Sequence, residues 1–299
     1  MRNVLMSFAA MILLAGASAA FADTYATGSL DGQNGWNGGA SGGFTNNAAG
    51  DEAVTTAAAH SGTQSWRLSA GYDSPGAGTP FSPQLTASAG LTSSGATADS
   101  MSISIWFKPV GALGDGTSQS IYEGTTNRDD RTGSNLYLDN TASGIVLSTY
   151  EFGGGTYPLI TLATLNDTNW HNVVMTTTSI GNDPATETTT FSIDGGAAIT
   201  TTPWADQYRQ ANTYPYPSAS SVKFDSGSAT ALSTTGFYYD DLSYSVFNSN
   251  DPSTVLASYS TSFEGASAVP LPSSAWAGIV LLCGLSLTGG MKRLRRVEA

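Results

Sequence analysis

The stretch Met101-Ser102-Ile103-Ser104-Ile105-Trp106-Phe107-Lys108 decides the fold, because large apolar residues occupy every second position in it. Successive side chains of a β-strand point to opposite faces of the sheet. In a strand, one face would therefore carry Met101, Ile103, Ile105 and Phe107, and the other Ser102, Ser104, Trp106 and Lys108. The pattern predicts a strand with one face on a hydrophobic core and one turned away from it.

Segments on both sides of this stretch predict more strands. Residues 136–138 and 145–150 are rich in Leu, Ile, Val and Tyr, and a turn-rich stretch from Asp139 to Gly144 separates them. The blocks 169–176 and 189–196 predict a pair of strands, and Asp194-Gly195 within the second block predicts a tight turn that needs positive φ. The region shows no helical or coiled-coil period and no internal repeat.

Composition agrees with an all-β domain in residues 23–268. Gly, Ser, Thr and Ala are abundant, whereas long charged helix formers are scarce. A span of this length fits one large β domain. The sole cysteine, Cys283, lies beyond the span, so the domain has no internal disulfide and must be stabilised by packing.

Several motifs resemble laminin G-like and concanavalin A-like domains, and they occur in the order expected for that family. They are Gly35-Trp36, the strand entry Ser61 to Leu68, Trp170 to Thr176, Phe191 to Gly195, and the closing segment Gly236 to Val246. The resemblance implies an antiparallel jelly-roll β-sandwich over residues 23–268. The alternative is another kind of secreted β-sandwich.

The N-terminus predicts a removable secretion signal. Arg2 precedes an apolar run from Val4 to Leu14, and small residues lead to Ala20-Phe21-Ala22. The run is too short to span a bilayer, and the small residues fit signal peptidase. We therefore expect cleavage after Ala22, which makes residues 1–22 a signal peptide.

The C-terminus predicts a membrane-sorting segment over residues 269–299. Val269-Pro270-Leu271-Pro272 is followed by Trp276, an apolar stretch from Ala277 to Leu287, and a basic cluster in residues 292–296. Prolines end the preceding structure, and the apolar stretch predicts a membrane helix. The basic residues favour the cytoplasmic side.

This tail resembles PEP-CTERM sorting signals, in particular their VPLPA-type variant, in which Leu271 replaces the usual glutamate. Ser273 stands where the variant has alanine. The resemblance implies transient anchoring in the inner membrane, processing by an exosortase, and a cell-surface or extracellular location. An anchor that is never cut is the alternative.

Charge limits the partners of the exported region. It contains six basic and twenty-two acidic residues, a formal net charge of −16, whereas the whole chain carries −12. Such a surface repels nucleic acid and other anionic polymers. Neutral glycans, exopolysaccharide among them, and cations remain as ligands.

The sequence predicts no enzyme. Glycoside hydrolysis needs two carboxylates at a fixed separation, and related β-glucanases place them as Glu-x-Asp-x-Glu. No such string occurs here, and the glutamates are isolated from one another. His60 and His171 are the only histidines, and no Gly-x-Ser-x-Gly motif is present. A glycoside hydrolase with an unrecognised site is the third choice of function.

Calcium is the cofactor that this composition allows, because it takes oxygen ligands from carboxylates and carbonyls. Asp240 and Asp241 are the candidate ligands. Neighbours on a regular strand point to opposite faces, so we expect only one of them to reach a given ion. A solvated acidic pair is the alternative.

An aromatic and proline-rich segment is the candidate ligand-binding loop. It contains Trp204, Tyr208, Tyr214 and Tyr216. Aromatic rings stack on the apolar faces of sugars. The leading hypothesis is a non-catalytic carbohydrate-binding or adhesive surface module, and the alternative is a structural surface protein without a small ligand. The four remaining early tryptophans, Trp36, Trp66, Trp106 and Trp170, are predicted to pack in the core or on the sheets.

Overall fold

The computed structural model describes residues 24–30, 32–36, 52–69, 82–87, 89, 98–125, 131–151, 158–180, 187–202, 219–226 and 234–265. The predicted signal peptide, the sorting segment and the aromatic loop lie outside these residues. All regular structure in the described part is β-structure. Accordingly, the described residues contain no apolar helix able to cross a membrane.

Thirteen strands form within the described residues. They are β1 (Glu52–Thr55), β2 (Ser65–Leu68), β3 (Ser100–Pro109), β4 (Ser118–Thr125), β5 (Arg131–Thr141), β6 (Gly144–Tyr150), β7 (Leu159–Leu165), β8 (His171–Thr178), β9 (Thr188–Ile193), β10 (Ile199–Thr201), β11 (Ala219–Ser226), β12 (Phe237–Asn248) and β13 (Asp251–Thr261).

The strands form two antiparallel sheets. The first sheet has the order β1-β2-β12-β3-β8-β9-β10, with β13 paired beside β12, and the second has the order β11-β4-β5-β6-β7. The N-terminal part of β12 pairs with β2, and its longer C-terminal part pairs with β13. The prediction of an all-β sandwich is confirmed.

The predicted alternation of β3 sets the position of the core. Met101, Ile103, Ile105 and Phe107 are at most 2% exposed, while the residues between them are half-buried. Directly opposite pairs extend the same pattern, such as Ile103 beside Met175 of β8. Apolar residues at every second position therefore bury one face of the first sheet against the second.

Aromatic side chains join the two sheets. Trp66 of β2 packs edge-on against Phe224 of β11 at 5.0 Å between ring centroids, and Phe224 lies 5.2 Å from Tyr239 of β12. Trp36 and Phe263 complete the cluster. The Tyr239 hydroxyl donates to Gln119 Oε1 of β4 at 2.7 Å, so even the polar atom of this ring is satisfied across the core.

The predicted turn after β9 is confirmed. Asp194 and Gly195 adopt φ of 50° and 68°, the positive values that a type I′ turn requires, and the N–H of Gly196 closes the turn on the carbonyl of Ile193 at 2.8 Å. Asp194 also ties β9 to the start of β8, because its carboxylate accepts from the backbone N–H of Asn172 at 2.8 Å and from His171 Nδ1 at 2.7 Å.

Candidate functional site

The outer face of the second sheet, the one turned away from the core, carries a cluster of tyrosines and polar side chains. We call it the tyrosine face and define it by Tyr122 of β4, Tyr137 of β5, Ser148 and Tyr150 of β6, and Ser221, Lys223 and Asp225 of β11. Strand register brings them together, because Lys223 lies opposite Tyr122 and Tyr137 lies opposite Ser148. Residues that pair directly across an antiparallel ladder share one face.

Three tyrosine rings form a row across this face. Tyr122 and Tyr137 lie edge-on at 6.1 Å between centroids, and their hydroxyls are 3.0 Å apart. Tyr137 and Tyr150 are also edge-on, at 5.4 Å. Tyr122 is only 4% exposed, although it lies outside the hydrophobic core, whereas Tyr137 and Tyr150 are half-buried. The row therefore presents ring surface and hydroxyls together.

A buried ion pair lies at one end of the row. Lys223 and Asp225 are two positions apart on β11, so their side chains project from the same face. The Lys223 Nζ is 3.0 Å from Asp225 Oδ2 and 5.6 Å from the centroid of the Tyr122 ring. The residues are 6% and 5% exposed. Opposite charges at this distance cancel, so the pair contributes no net charge.

Three polar atoms of the tyrosine face have no hydrogen-bond partner and no contact with solvent. They are Asp225 Oδ1, Ser221 Oγ and Ser148 Oγ. Buried polar atoms are almost always paired, since an unpaired acceptor costs about 1–3 kcal/mol. Because these side chains point away from the hydrophobic core, core packing does not compensate for their missing hydrogen bonds. A ligand with its own hydroxyl donors could pair with these atoms, but it would reach them only after the surrounding side chains shift.

The tyrosine face was not predicted from the sequence. Its residues lie on the consecutive strands β4, β5 and β6 and on the distant strand β11, and each residue looks ordinary in its own strand. A signal was present in β11, where the polar residues Ser221, Lys223 and Asp225 alternate along the strand with the apolar residues Val222 and Phe224. Charged residues at the outward positions of an otherwise apolar strand indicate a polar outer face.

The residues predicted as the ligand-binding loop, Trp204, Tyr208, Tyr214 and Tyr216, lie outside the described residues. Both attachment points of the segment are described. The backbone N–H of Thr202 donates to Glu151 Oε1 at 3.2 Å, directly after Tyr150, and Ala219 begins β11. The segment thus leaves beside one end of the tyrosine row and returns in the strand that carries Lys223.

Asp240 and Asp241, the predicted calcium ligands, lie at an irregularity in β12. The register of β12 against β3 shifts between Asp240 and Ser243, and Asp241 adopts a φ of 45°. The expectation that the two carboxylates point to opposite faces is wrong here, because the irregularity interrupts the alternation. Both side chains instead hold the loop at His60 and Ser61.

Protein donors occupy these carboxylates. Asp240 Oδ2 accepts from the backbone N–H groups of His60 and Ser61 at 2.8 and 3.1 Å, and Oδ1 accepts from the N–H of Asp241. Asp241 accepts from Ser61 Oγ and from His60 Nδ1, each at 2.6 Å. No group of three or more metal-ligating side chains occurs in the described part of the chain. Calcium at this pair stays a prediction.

The environment of Asp240 changes its acidity. The side chain is fully buried, and burial raises the pKa of Asp240 from 3.8 to about 6, although three backbone N–H groups oppose the shift. Its neighbour His60 stacks on Trp106 at 3.7 Å between centroids and meets Trp170 edge-on at 5.8 Å. This cluster fixes a loop against the outer face of the first sheet, which agrees with the predicted packing role of the two tryptophans.

A groove of about 270 Å³ crosses the outer face of the first sheet. It is lined by Ser102, Ser104, Ser243, Ser245, Ser258 and Ser260, with Tyr244 and Tyr259. We call it the serine groove. Tyr244 is buried in the core, and the groove offers no charged side chain. It therefore has fewer of the features of a sugar site than the tyrosine face.

Comparison with known proteins finds similar solved structures but no family. No protein-family model and no curated protein matches the chain. Among solved structures, it is similar to alginate lyase A1-II′ of polysaccharide lyase family 7, at 11% identity over 66% of this chain and 78% of that one, with a TM-score of 0.37. It is also similar to an endo-β-1,4-glucuronan lyase from Trichoderma reesei, at 13% identity over 81% and 96%, with a TM-score of 0.39.

A further similar structure is the globular domain of T. cruzi calreticulin, at 10% identity over 74% of this chain and 87% of that one, with a TM-score of 0.43. At these identities the likeness concerns the fold alone. It nevertheless corrects one expectation from the sequence, that the domain is not an enzyme, since the similar structures include polysaccharide lyases. Paired carboxylates are a requirement of glycoside hydrolysis. Their absence from the sequence therefore does not exclude a different reaction on a glycan.

Proposed function

We propose that the chain is an exported cell-surface or extracellular protein whose sandwich binds a neutral glycan at the tyrosine face. The observation that carries the proposal is the set of buried, unpartnered polar atoms beside a row of tyrosine rings. Sugars present both apolar ring faces and hydroxyl groups, and protein sites that bind them combine aromatic surface with a few placed polar groups.

The charge of the site supports a neutral ligand. Lys223 is the only basic side chain that defines the tyrosine face, and Asp225 neutralises it at 3.0 Å. The surrounding domain carries an excess of acidic residues, which repels anionic polymers. A neutral exopolysaccharide would meet neither an unpaired charge in the site nor a repulsive surface around it.

The aromatic segment belongs to the same proposal. Its attachment points are Thr202, beside Glu151, and Ala219 at the start of β11, so the segment joins β10 at the edge of the first sheet to β11 at the edge of the second. We infer that Trp204, Tyr208, Tyr214 and Tyr216 add further ring surface for the same ligand. A structural calcium at Asp240 and Asp241 would serve the stability of the sandwich rather than this site.

The proposed cellular location rests on the two ends of the chain. Residues 1–22 direct export, and residues 269–299, with the Val269-Pro270-Leu271-Pro272 motif, retain the chain in the inner membrane until an exosortase-type enzyme processes it. The fold is of the concanavalin A-like jelly-roll type, related to laminin G-like domains. These assignments rest on the resemblances of the sequence motifs.

Retention on polysaccharides tests the proposal. The full chain, affinity-tagged and produced in an exporting host, is incubated with a panel of insoluble neutral and anionic polysaccharides, with calcium or with a chelator. We expect saturable retention on a neutral polymer, and at least a tenfold weaker affinity for Tyr137→Ala, since each lost stacking and hydroxyl contact costs about 1–2 kcal/mol.

Tyr238→Ala is the matched control, because Tyr238 is a half-buried tyrosine on β12 of the other sheet. Its retention should equal that of the wild type. Loss of retention in both variants, or retention on no polymer, would count against a glycan site at the tyrosine face. The latter result would favour a structural surface role without a small ligand.

A further inference from the structure

The ladder between β5 and β6 stops before the last tyrosine of the row. Its final pair is Tyr137 of β5 with Ser148 of β6, and Tyr150 ends β6 two residues later. On its other side Tyr150 pairs with Leu159 of β7. Its ring nevertheless lies edge-on to that of Tyr137, at 5.4 Å between centroids. A contact other than the ladder must therefore hold Tyr150 beside β5.

The side chain of Asn135 on β5 supplies this contact. Its amide oxygen Oδ1 accepts from the backbone N–H of Tyr150 and from the hydroxyl of Thr149, each at 3.1 Å. If the ladder continued in its register, Asn135 would lie directly opposite Tyr150. The side-chain amide thus takes the place that a backbone carbonyl of β5 has in a regular ladder.

Burial and donor type fix the orientation of this amide. Asn135 is 1% exposed and Thr149 is 2% exposed, so water does not compete for the oxygen. A backbone N–H can only donate, so the amide atom that faces Tyr150 must be the oxygen. A buried group that loses such a partner is left unsatisfied, which is rarely tolerated.

Asn135 also lies close to the other two tyrosines of the row. It is directly opposite Tyr122 of β4, and it precedes Tyr137 by two positions on its own strand. Directly opposite residues, and alternate residues of one strand, share a face of the sheet. Asn135 therefore lies on the tyrosine face, although it is too buried to contact a ligand itself.

We propose that Asn135 is a positioning residue of the tyrosine face, which holds the backbone of Tyr150 so that its ring completes the row. Without the amide oxygen, the N–H of Tyr150 has no partner on the β5 side, and the end of β6 moves away from β5. The effect on ligand binding rests on the proposed glycan site. The effect on the place of Tyr150 does not.

Two substitutions of Asn135 separate the acceptor oxygen from the shape of the side chain. Asn135→Asp keeps both the size and an acceptor, whereas Asn135→Leu keeps the branched shape and removes every acceptor. Thr149→Val is the matched control, because it removes the other donor to the same oxygen and leaves the bond from Tyr150 in place. Asn135→Ala replaces the leucine variant if that variant does not fold.

Oxidative footprinting of the full chain without glycan tests the positioning. We expect Asn135→Leu to raise the oxidation rate of Tyr150, relative to Tyr238, by roughly threefold or more, because the end of β6 becomes more accessible. Asn135→Asp and Thr149→Val should stay within about twofold of the wild type. An unchanged rate in Asn135→Leu would overturn the proposal, as would an equal rise in Asn135→Asp.

Retention on insoluble cellulose, curdlan and chitin, which are neutral polysaccharides, tests the link to binding. On a polymer that retains the wild type, Asn135→Leu should bind about fivefold more weakly, and Asn135→Asp should bind like the wild type. Undiminished binding by Asn135→Leu would contradict a positioning role for the site. If no polymer retains the wild type, the glycan site fails, and footprinting alone decides whether Asn135 places Tyr150.

Discussion

At the scale of single residues, acidic side chains act mainly as acceptors for backbone N–H groups. Glu52 accepts from the N–H of Leu30 and from Trp66 Nε1, and Glu264 accepts from the N–H groups of Thr63 and Gln64. In a chain with few charged residues, these carboxylates hold loops to strands. Asp225 differs from them, because one of its buried oxygens has no partner.

Asp240 should make stability depend on pH. Its pKa is about 6 in the folded protein and 3.8 when unfolded, so between these values the folded state binds more protons. Stability from this group is therefore fully present below pH 4 and falls as pH rises to 6, by about 3 kcal/mol in total. Relative to Asp240→Asn, the wild type should gain stability when pH is lowered from 7 to 4.5.

Chemical denaturation of both proteins at the two pH values measures this difference. The comparison with the asparagine variant removes the titration of other groups, such as Asp167, whose pKa is lowered chiefly by the N–H of Asn169. A stability difference that stays constant between pH 4.5 and 7, or that changes in the opposite direction, would show that Asp240 is not a buried acid with a raised pKa.

At the scale of elements, the tight approach of β2 to the start of β12 depends on Gly236. This glycine has a φ of 103°, and a Cβ atom there would collide with the carbonyl oxygen of Leu68. Gly116 has a similar φ of 78° but open space around it. Gly116→Ala should cost about 1–2 kcal/mol for the backbone conformation. Gly236→Ala should cost about 1–3 kcal/mol more.

Thermal unfolding of the two variants tests this difference, since both residues have a positive φ but only Gly236 lacks room for a Cβ atom. Equal melting temperatures would mean that β2 and β12 can separate without loss, contrary to the close packing described above.

The elements also show which features could be predicted from the sequence. Period-two alternation identified β3, which buries one face, whereas apolar composition indicated β6 and the resemblance to laminin G-like domains indicated β8 and β12. The irregularity at Asp240 and Asp241 was not predicted, because it depends on the loop at His60 that the two carboxylates hold.

At the scale of the whole molecule, the candidate site is a product of sheet order. Tyr122, Tyr137 and Tyr150 become neighbours only because β4, β5 and β6 are adjacent, and Lys223 joins them because β11 is the edge strand beside β4. The sequence therefore predicted the sandwich and a glycan ligand, but it placed the ligand-binding aromatic residues in a single loop. The three rings come from consecutive strands, and only the pairing of β11 with β4, which adds Lys223, is long-range in the sequence.

The most direct measurement of the central claim is oxidative footprinting of the full chain with and without a saturating neutral polysaccharide that retains it. We predict that Tyr137 and Tyr150 lose reactivity when the glycan is bound, while Tyr238 keeps its own. Protection of Tyr238 or Tyr259 with no change at Tyr137 and Tyr150 would place the ligand on the first sheet, near the serine groove, and would contradict a glycan site at the tyrosine face.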